Sequence, residues 1–149
     1  MRRIGRIPAP FVQLSANALF KASAVAHVQT DGSFSPLNNC ISRTAVILHK
    51  ASGTKHTLCR TYFDHHNSVE SEWRSIVDGL EYSAKRGART INLENDNLSI
   101  VNTLILRKTP PHLYSEYYAY IFDMIGRLDW VAIRWIPREM NKADRLFRI

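Results

Sequence analysis

The sequence predicts a single α/β domain built on a five-stranded mixed sheet, with the first three strands antiparallel and helices flanking the sheet. The length of 149 residues is about that of one domain. Its 45% hydrophobic and 22% charged residues suit a packed core rather than a disordered chain. The apolar pattern changes period along the chain, so the predicted elements follow in the order β-β-β-α-β-α-α-β-α.

The first three predicted strands lie in the N-terminal part of the chain. Residues 24–31 suit a strand that ends at a turn, because Asp-Gly-Ser follows with strong turn chemistry. Residues 40–50 suit a second strand and residues 54–63 a third. Ala-Ser-Gly at 51–53 can reverse the chain between them, so we expect a hairpin.

The next segment predicts an amphipathic helix. Its apolar residues recur at steps of three and four: Val69, Trp73, Ile76, Val77, Leu80 and Ala84. Asn67 followed by Glu70 fits a capping box at its start, and Gly87 suits its end. Gly79 costs helix stability, so we expect a close approach to the sheet on the side of Glu72.

The acids of this helix fall on different sides of the apolar stripe. On a helical wheel Glu72 flanks the stripe beside Gly79, which favours it weakly as a functional residue. Glu70 flanks the opposite side and has an alternative role as the capping partner. Asp78 and Glu81 point further from the stripe, so we predict that solvent surrounds them.

The C-terminal half alternates helices with single strands. Residues 90–94 form a short apolar segment that predicts a strand, and residues 97–105 predict a helix. Residues 113–128 are predicted to form an aromatic-rich helix. The alternation over 131–135 predicts the fifth strand, and 141–147 a short terminal helix.

The charge of the chain favours a polyanionic partner. Twenty Lys and Arg against thirteen Asp and Glu give a net charge of +7 and a pI of about 9.7, and nucleic acid is the commonest partner of such a chain. No run of residues approaches the roughly 20 apolar positions of a membrane helix.

Residues 1–22 carry Arg2, Arg3 and Arg6 and no acid, a composition that leader segments also show. Pro8 and Pro10 interrupt its apolar stretch, so we expect a retained basic arm ahead of a domain spanning 23–149, with nucleic-acid contact left open.

The cysteines predict a reducing, cytoplasmic environment. Cys40 and Cys59 are 19 positions apart and too few for a secreted disulfide framework. A zinc site would need closely spaced pairs of Cys or His, and neither C-x-x-C nor H-x-x-x-H occurs. We therefore expect these residues to be ordinary strand and loop positions.

Of three aspartates considered as site residues, Asp31 and Asp96 fall where a ligand site forms in an α/β sheet. Asp31 ends the first predicted strand, Asp96 follows the fourth, and Asp144 lies in the terminal helix. Ligands of open α/β sheets gather at strand ends. Because Asp is also common in turns and caps, each residue taken singly has that alternative explanation.

Four motifs, in order, resemble those of ribonuclease H. They are Thr30-Asp31-Gly32-Ser33, Ser71-Glu72-Trp73 ahead of Gly79-Leu80, Asn95-Asp96-Asn97, and residues 135–144, which read Trp-Ile-Pro-Arg-Glu-Met-Asn-Lys-Ala-Asp. The resemblance covers about residues 24–146. The last motif looks most like the archaeal-type and plant-type branch with a Pro-Arg-Glu-x-Asn-x-x-Ala-Asp ending. A ribonuclease H-like fold is therefore implied, in agreement with the element order.

The resemblance also implies an activity and its residues. The activity is metal-dependent hydrolysis of the RNA strand of RNA–DNA hybrids, using two Mg²⁺ ions, with Mn²⁺ as a substitute. The implied catalytic and metal-binding residues are Asp31, Glu72, Asp96 and Asp144. The implied substrate-binding residues are Gly32, Ser33, Asn97, Arg138 and Asn141.

Physical chemistry supports grouping these carboxylates. Two divalent ions about 3.5–4 Å apart can activate a water, neutralise the phosphate and stabilise the leaving oxygen. Mg²⁺ prefers oxygen ligands, whereas four converging acids repel one another without a cation.

Two other functions stay open on this fold: a noncatalytic nucleic-acid-binding module and a structure-selective DNA nuclease. The stretch after Ser33 lacks the glycines that many members of the family have there. If the activity differs from that of the family, we therefore expect the difference to be a weaker preference for hybrids over other duplexes.

Overall fold

The computed structural model describes residues 6–16, 20–37 and 41–148. Within these ranges six strands form one mixed sheet in the order β1-β6-β5-β2-β3-β4. The strands are Val12–Gln13 (β1), Val25–Ser35 (β2), Ile41–His49 (β3), Lys55–Tyr62 (β4), Thr90–Asn95 (β5) and Trp130–Trp135 (β6). Strands β2, β3 and β4 are antiparallel neighbours, while β5 pairs in parallel with both β2 and β6.

Three α-helices accompany the sheet: Ser68–Lys85 (α1), Leu98–Ile105 (α2) and Ser115–Gly126 (α3). Short 3₁₀ helices span Ala22–Ala24, His112–Tyr114, Arg138–Met140 and Lys142–Arg148. Trp73, Ile76 and Leu80 of α1 pack into one buried cluster with apolar residues of β2, β3, β5, β6 and the other two helices. The prediction of a mixed α/β sheet whose first three strands are antiparallel is confirmed by β2, β3 and β4. None of the helices described here is long and apolar enough to cross a membrane.

The sheet contains one strand more than the five predicted. Val12 and Gln13 of the arm pair antiparallel with β6, and the Ala9 amide donates to the Trp135 carbonyl over 3.0 Å. A strand of two residues is too short to show alternation, so no local pattern could predict it. Two parts of the predicted arm, residues 1–5 and 17–19, lie outside the described residues. Cys40, with which the second predicted strand begins, also lies outside them.

The predicted turn at Asp31 is wrong, because β2 continues through Gly32 as far as Ser35. Asp31 pairs with Ala45 of β3 in the antiparallel ladder. The glycine is explained by packing: a Cβ atom at position 32 would lie 2.4 Å from the backbone carbonyl carbon of Ser71. Helix α1 therefore crosses β2 at backbone contact distance, and the ladder overrides the local turn preference.

Helix α1 begins and approaches the sheet as the sequence predicts. The Asn67 side chain accepts a hydrogen bond from the Glu70 amide at 2.9 Å, which caps the helix. The reciprocal half of the capping box is absent, because the Glu70 carboxylate accepts from the His66 amide instead. A Cβ atom on Gly79 would lie 2.4 Å from the Thr30 Cγ2 methyl, which confirms the close approach to the sheet.

Asp78 is the largest departure from the helical-wheel prediction. It is fully buried rather than solvated, and its carboxylate accepts hydrogen bonds from Thr44 (2.6 Å), Tyr62 (2.7 Å) and Arg74 (3.0 Å). Glu81 is also half-buried, with 22% of its side chain exposed. The wheel recognises only apolar stripes, whereas β3 and β4 bring hydrogen-bond donors to this side of the helix.

Candidate active site

Three of the predicted carboxylates converge at one edge of the sheet. Asp31 lies on β2, Asp96 directly follows the parallel neighbour β5, and Glu72 reaches in from the second turn of α1. One carboxylate oxygen from each residue lies within 4.8 Å of the others. The position follows from the topology. Strand β2 pairs in parallel with β5 as far as Gln29 and Glu94, so Asp31 and Asp96 lie side by side just beyond the last parallel pair.

The backbone amide of Gly32 organises two of these carboxylates. It donates to Asp31 Oδ1 at 3.0 Å and to Glu72 Oε1 at 2.7 Å. The other Glu72 oxygen, Oε2, is buried and has no hydrogen-bond donor among the described residues. A buried carboxylate oxygen without a partner is costly. The donor set is all oxygen, so these residues fit a hard divalent cation such as Mg²⁺.

Burial and mutual repulsion raise the pKa values of all three groups. Burial, together with the charges of Asp96 and Asp144, raises the pKa of Asp31 to about 6, although the hydrogen bond from the Gly32 amide opposes the rise. Burial, followed by the charge of Asp31, raises the pKa of Glu72 well above its ordinary value. Burial also raises the pKa of Asp96, although a hydrogen bond from Asn141 works in the opposite direction. A cation would reverse this balance by favouring the ionised forms.

Asp144, the fourth predicted carboxylate, lies at the margin of the cluster. It lines the same cavity as Asp31, Glu72 and Asp96, and its charge contributes to the raised pKa of Asp31. It is not one of the three convergent residues, and its carboxylate forms an ion pair with Arg148 at 2.7 Å. The structure therefore brings three acids together and leaves the fourth beside them with an arginine partner.

The residues predicted to bind substrate occupy two kinds of position. Four of them line the carboxylate cavity: Gly32, Ser33, Asn97 and Arg138. Asn97 also caps α2, since its side-chain oxygen accepts from the Ile100 amide at 3.1 Å. Asn141 is only 4% exposed, donates to the Thr30 carbonyl at 2.9 Å and accepts from the Ala143 amide at 3.1 Å. It therefore ties the segment that carries Asp144 to β2.

Asn95 has a positioning role that the sequence did not reveal. Its side-chain amide donates to the Thr30 carbonyl (3.2 Å) and hydroxyl (3.0 Å), and its side-chain oxygen accepts from the Asn97 amide (2.8 Å). The Trp135 indole donates to the Asp96 carbonyl at 3.0 Å. These contacts fix the backbone on both sides of Asp96. The only sequence signal was the presence of Asn95 in a motif beside Asp96.

A second buried network fixes the start of α1 beside Glu72. The Ser42 hydroxyl lies 2.6 Å from the Ser71 hydroxyl and 2.6 Å from His65 Nδ1. Burial lowers the pKa of His65, which favours its neutral form in this contact. The network links β3, the loop before α1 and the first turn of the helix. It was not predicted, because Ser42 lies 23 positions from His65 and 29 from Ser71 and the three residues carry no periodic pattern.

Solved structures place this architecture in a known class. The chain resembles ribonuclease H1 from the archaeon Halobacterium salinarum, with a TM-score of 0.73 and 20% identity over 82% of this chain and 93% of that one. It resembles the N-terminal ribonuclease H domain of a Mycobacterium tuberculosis protein with a TM-score of 0.73 and 20% identity, covering 83% and 90%. It also resembles LC11 ribonuclease H1, solved with an RNA/DNA hybrid, with a TM-score of 0.70 and 19% identity, covering 81% and 92%. The fold is therefore that of ribonuclease H.

The sequence itself assigns the family. The family model described as reverse transcriptase-like matches residues 29–146, and the chain belongs to this family. Among curated proteins, no sequence matches this chain. The match includes all four predicted carboxylates.

Proposed function

We propose that this protein is a metal-dependent endonuclease that hydrolyses the RNA strand of RNA–DNA hybrids. The observation that carries the proposal is the convergence of the carboxylates of buried Asp31 and Glu72 and half-buried Asp96 within 4.8 Å. Like charges packed so closely are unfavourable unless a cation joins them. The ribonuclease H fold and the basic net charge of +7 support the same function.

The metal would be held by Asp31, Glu72 and Asp96, and Asp144, which lines the same cavity, would complete the set. Two Mg²⁺ ions are the proposed complement, and Mn²⁺ is the proposed substitute. When bound, such ions supply charge neutralisation at the phosphate and a more acidic attacking water. Gly32 holds the Asp31 and Glu72 carboxylates in orientation through its shared N–H group.

The other cavity residues would act on the nucleic acid. Arg138 is exposed on the cavity wall, where its guanidinium can pair with phosphate oxygens. Ser33 and Asn97 place polar groups on the same wall. Contacts of this type can distinguish RNA from DNA through the 2′-hydroxyl group. Asn95 and Asn141 position Asp96 and the Asp144 segment without needing to touch the substrate.

The test is a cleavage assay on a labelled RNA–DNA hybrid, a labelled duplex RNA and a labelled duplex DNA, each with and without Mg²⁺. We expect the RNA strand of the hybrid to be cut in Mg²⁺ or Mn²⁺, while duplex DNA is bound but not cut. The net charge gives affinity for any duplex, so specificity must appear mainly in turnover. Asp31→Asn prepared in parallel controls for contaminating nuclease.

The outcomes separate the other functions on this fold. Binding of all duplexes without cleavage in either metal, by folded protein, identifies a noncatalytic binding module. Cleavage confined to branched or duplex DNA identifies a DNA nuclease. Cleavage of both hybrid and duplex RNA would retain the nuclease and attribute relaxed specificity to the glycine-free stretch after Ser33.

A further inference from the structure

A second groove adjoins the carboxylate cavity and is lined mainly by arginines. Its charged residues are Arg6, Arg138, Arg145 and Arg148, together with Glu139 and Asp144. We call it the arginine groove. It shares Arg138 and Asp144 with the carboxylate cavity, so the two depressions have part of their walls in common.

Several of its guanidinium groups can accept a new anionic partner. Arg145 has no carboxylate within ion-pair distance in the described parts of the chain, and the same holds for Arg138. Arg6 lies 3.5 Å from Glu139, with 64% and 57% of the two side chains exposed. Exposed ion pairs of this kind contribute little to stability, so Arg6 can exchange Glu139 for another anion. The groove thus has four arginines against two acids, a local excess of positive charge.

Both ends of the chain hold the groove in place. The arm pairs with β6, and the Arg6 guanidinium lies 5.6 Å from the centre of the Trp135 ring. At the other end, the 3₁₀ helix Lys142–Arg148 packs against β3, where buried Ala143 contacts Ala45 and Ile47. Arginines from distant parts of the sequence therefore face one another on a supported surface.

We propose that the arginine groove binds the phosphodiester backbone of the nucleic-acid strand where that strand continues beyond the carboxylate cavity. The identity of the ligand rests on the proposed function. Guanidinium groups match phosphate oxygens in a bidentate geometry, and their charge displaces counterions from the strand. Arg148 exchanges the Asp144 carboxylate for a phosphate oxygen when the strand binds. The arm thereby becomes part of the substrate surface through Arg6.

The test measures binding without cleavage. Anisotropy of a labelled RNA–DNA hybrid is recorded in EDTA at several salt concentrations for Arg145→Ala and Arg148→Ala. Arg127→Ala is the matched control, because Arg127 pairs with Asp123 at 2.8 Å in the same i,i+4 arrangement and is 76% exposed, against 2.7 Å and 74% for Arg148. We expect each groove variant to bind about three- to tenfold more weakly with a salt slope smaller by about 1, and the control to be unchanged. Arg145→Lys should lose less affinity than Arg145→Ala, because it keeps the charge but not the bidentate geometry of the guanidinium group.

Two results would overturn the proposal. One is an equal effect of Arg148→Ala and Arg127→Ala, which would show only the loss of general charge. The other is binding of inorganic phosphate that Arg148→Ala abolishes while hybrid affinity stays unchanged, which would identify a site for the small anion alone. Cleavage is scored separately, so the two proposals fail in different ways. Cleavage of the hybrid without an effect of the groove variants on binding would contradict only the proposal for the arginine groove. Weaker binding by the groove variants without any cleavage would contradict only the proposed nuclease activity.

Discussion

Helix α1 buries three acidic side chains, Glu70, Glu72 and Asp78, and the surroundings of Glu72 near its start and of Asp78 in its middle are opposite. Asp78 accepts hydrogen bonds from Thr44, Tyr62 and Arg74, and Arg60 lies 3.5 Å from it. Glu72 receives one amide hydrogen bond and faces two further acids, and its second oxygen has no partner in the described chain.

The difference separates a structural carboxylate from one suited to an outside ligand. Where the protein surrounds a buried charge with donors and cations, the charge joins helix and sheet into one unit. Where it surrounds the charge with other acids, the favourable partner must come from solution. Asp78 and Glu72 therefore respond to substitution in opposite ways, which the following predictions use.

The largest expected effect is the loss of cleavage in Glu72→Gln. Removing one carboxylate from the cluster should lower hybrid cleavage at least about a thousandfold, because metal sites supply several kcal/mol of transition-state stabilisation. The melting temperature in EDTA should stay the same or rise, since repulsion with Asp31 is removed. Glu116→Gln on the exposed surface of α3 is the control. Full cleavage by Glu72→Gln would remove this residue from the site.

Asp78→Ala should show the reverse pattern, with stability lost and the active site retained. Arg74 and Tyr62 would lose their shared acceptor, and we expect a loss of about 2–4 kcal/mol in the free energy of unfolding, measured by urea denaturation. Asp78→Asn, which keeps an acceptor oxygen, should lose less. Below the unfolding temperature both variants should still cut hybrid. Unchanged stability in Asp78→Ala would contradict the structural role.

The pH dependence of the metal-free protein should report the repulsion among the clustered acids. The pKa of Asp31 is raised to about 6 from 3.8, so the folded state holds its proton more tightly than the unfolded chain. Rising pH through this window therefore favours unfolding, by about 1–3 kcal/mol in total. Melting temperatures in EDTA between pH 4 and 7 test this, with Asp31→Asn as the control that should flatten the curve. Mg²⁺ should restore stability at the upper end. The same pH dependence in the wild-type protein and in Asp31→Asn would exclude the repulsion, because acids with lowered pKa values such as Glu70 and Glu81 act equally in both proteins.

The smallest expected effect concerns the contact that brings α1 close enough to present Glu72. Gly79→Ala places a methyl group 2.4 Å from the Thr30 Cγ2 atom, and we expect a net loss of about 1–2 kcal/mol despite better helix propensity. Gly126→Ala is the matched control, because nothing lies within 4 Å of its added Cβ atom. That variant should be neutral or more stable by up to about 1 kcal/mol. Equal responses of the two variants in urea denaturation would show that the helix can shift away from the sheet.

Much of the architecture could be predicted from the sequence. The helical period, the Asn67 cap and Gly87 indicated where α1 begins and ends, and the motif resemblance indicated the ribonuclease H fold. Local patterns report such features well because capping, turn and helix-face preferences act between residues that are near in the chain. The assignment of Asp31, Glu72, Asp96 and Asp144 as metal ligands stays a prediction until a metal is measured.

Only the tertiary structure decided which charges have partners. No periodicity could show that Thr44 and Tyr62 would reach Asp78, that Arg148 would pair with Asp144, or that two residues of the arm would extend the sheet beside β6. The Asp-Gly-Ser segment predicts a turn when taken alone, and becomes strand because β3 pairs with it while α1 lies against Gly32. Each of these contacts joins chain segments that meet only on folding, and their energies depend on distance and burial rather than on sequence spacing.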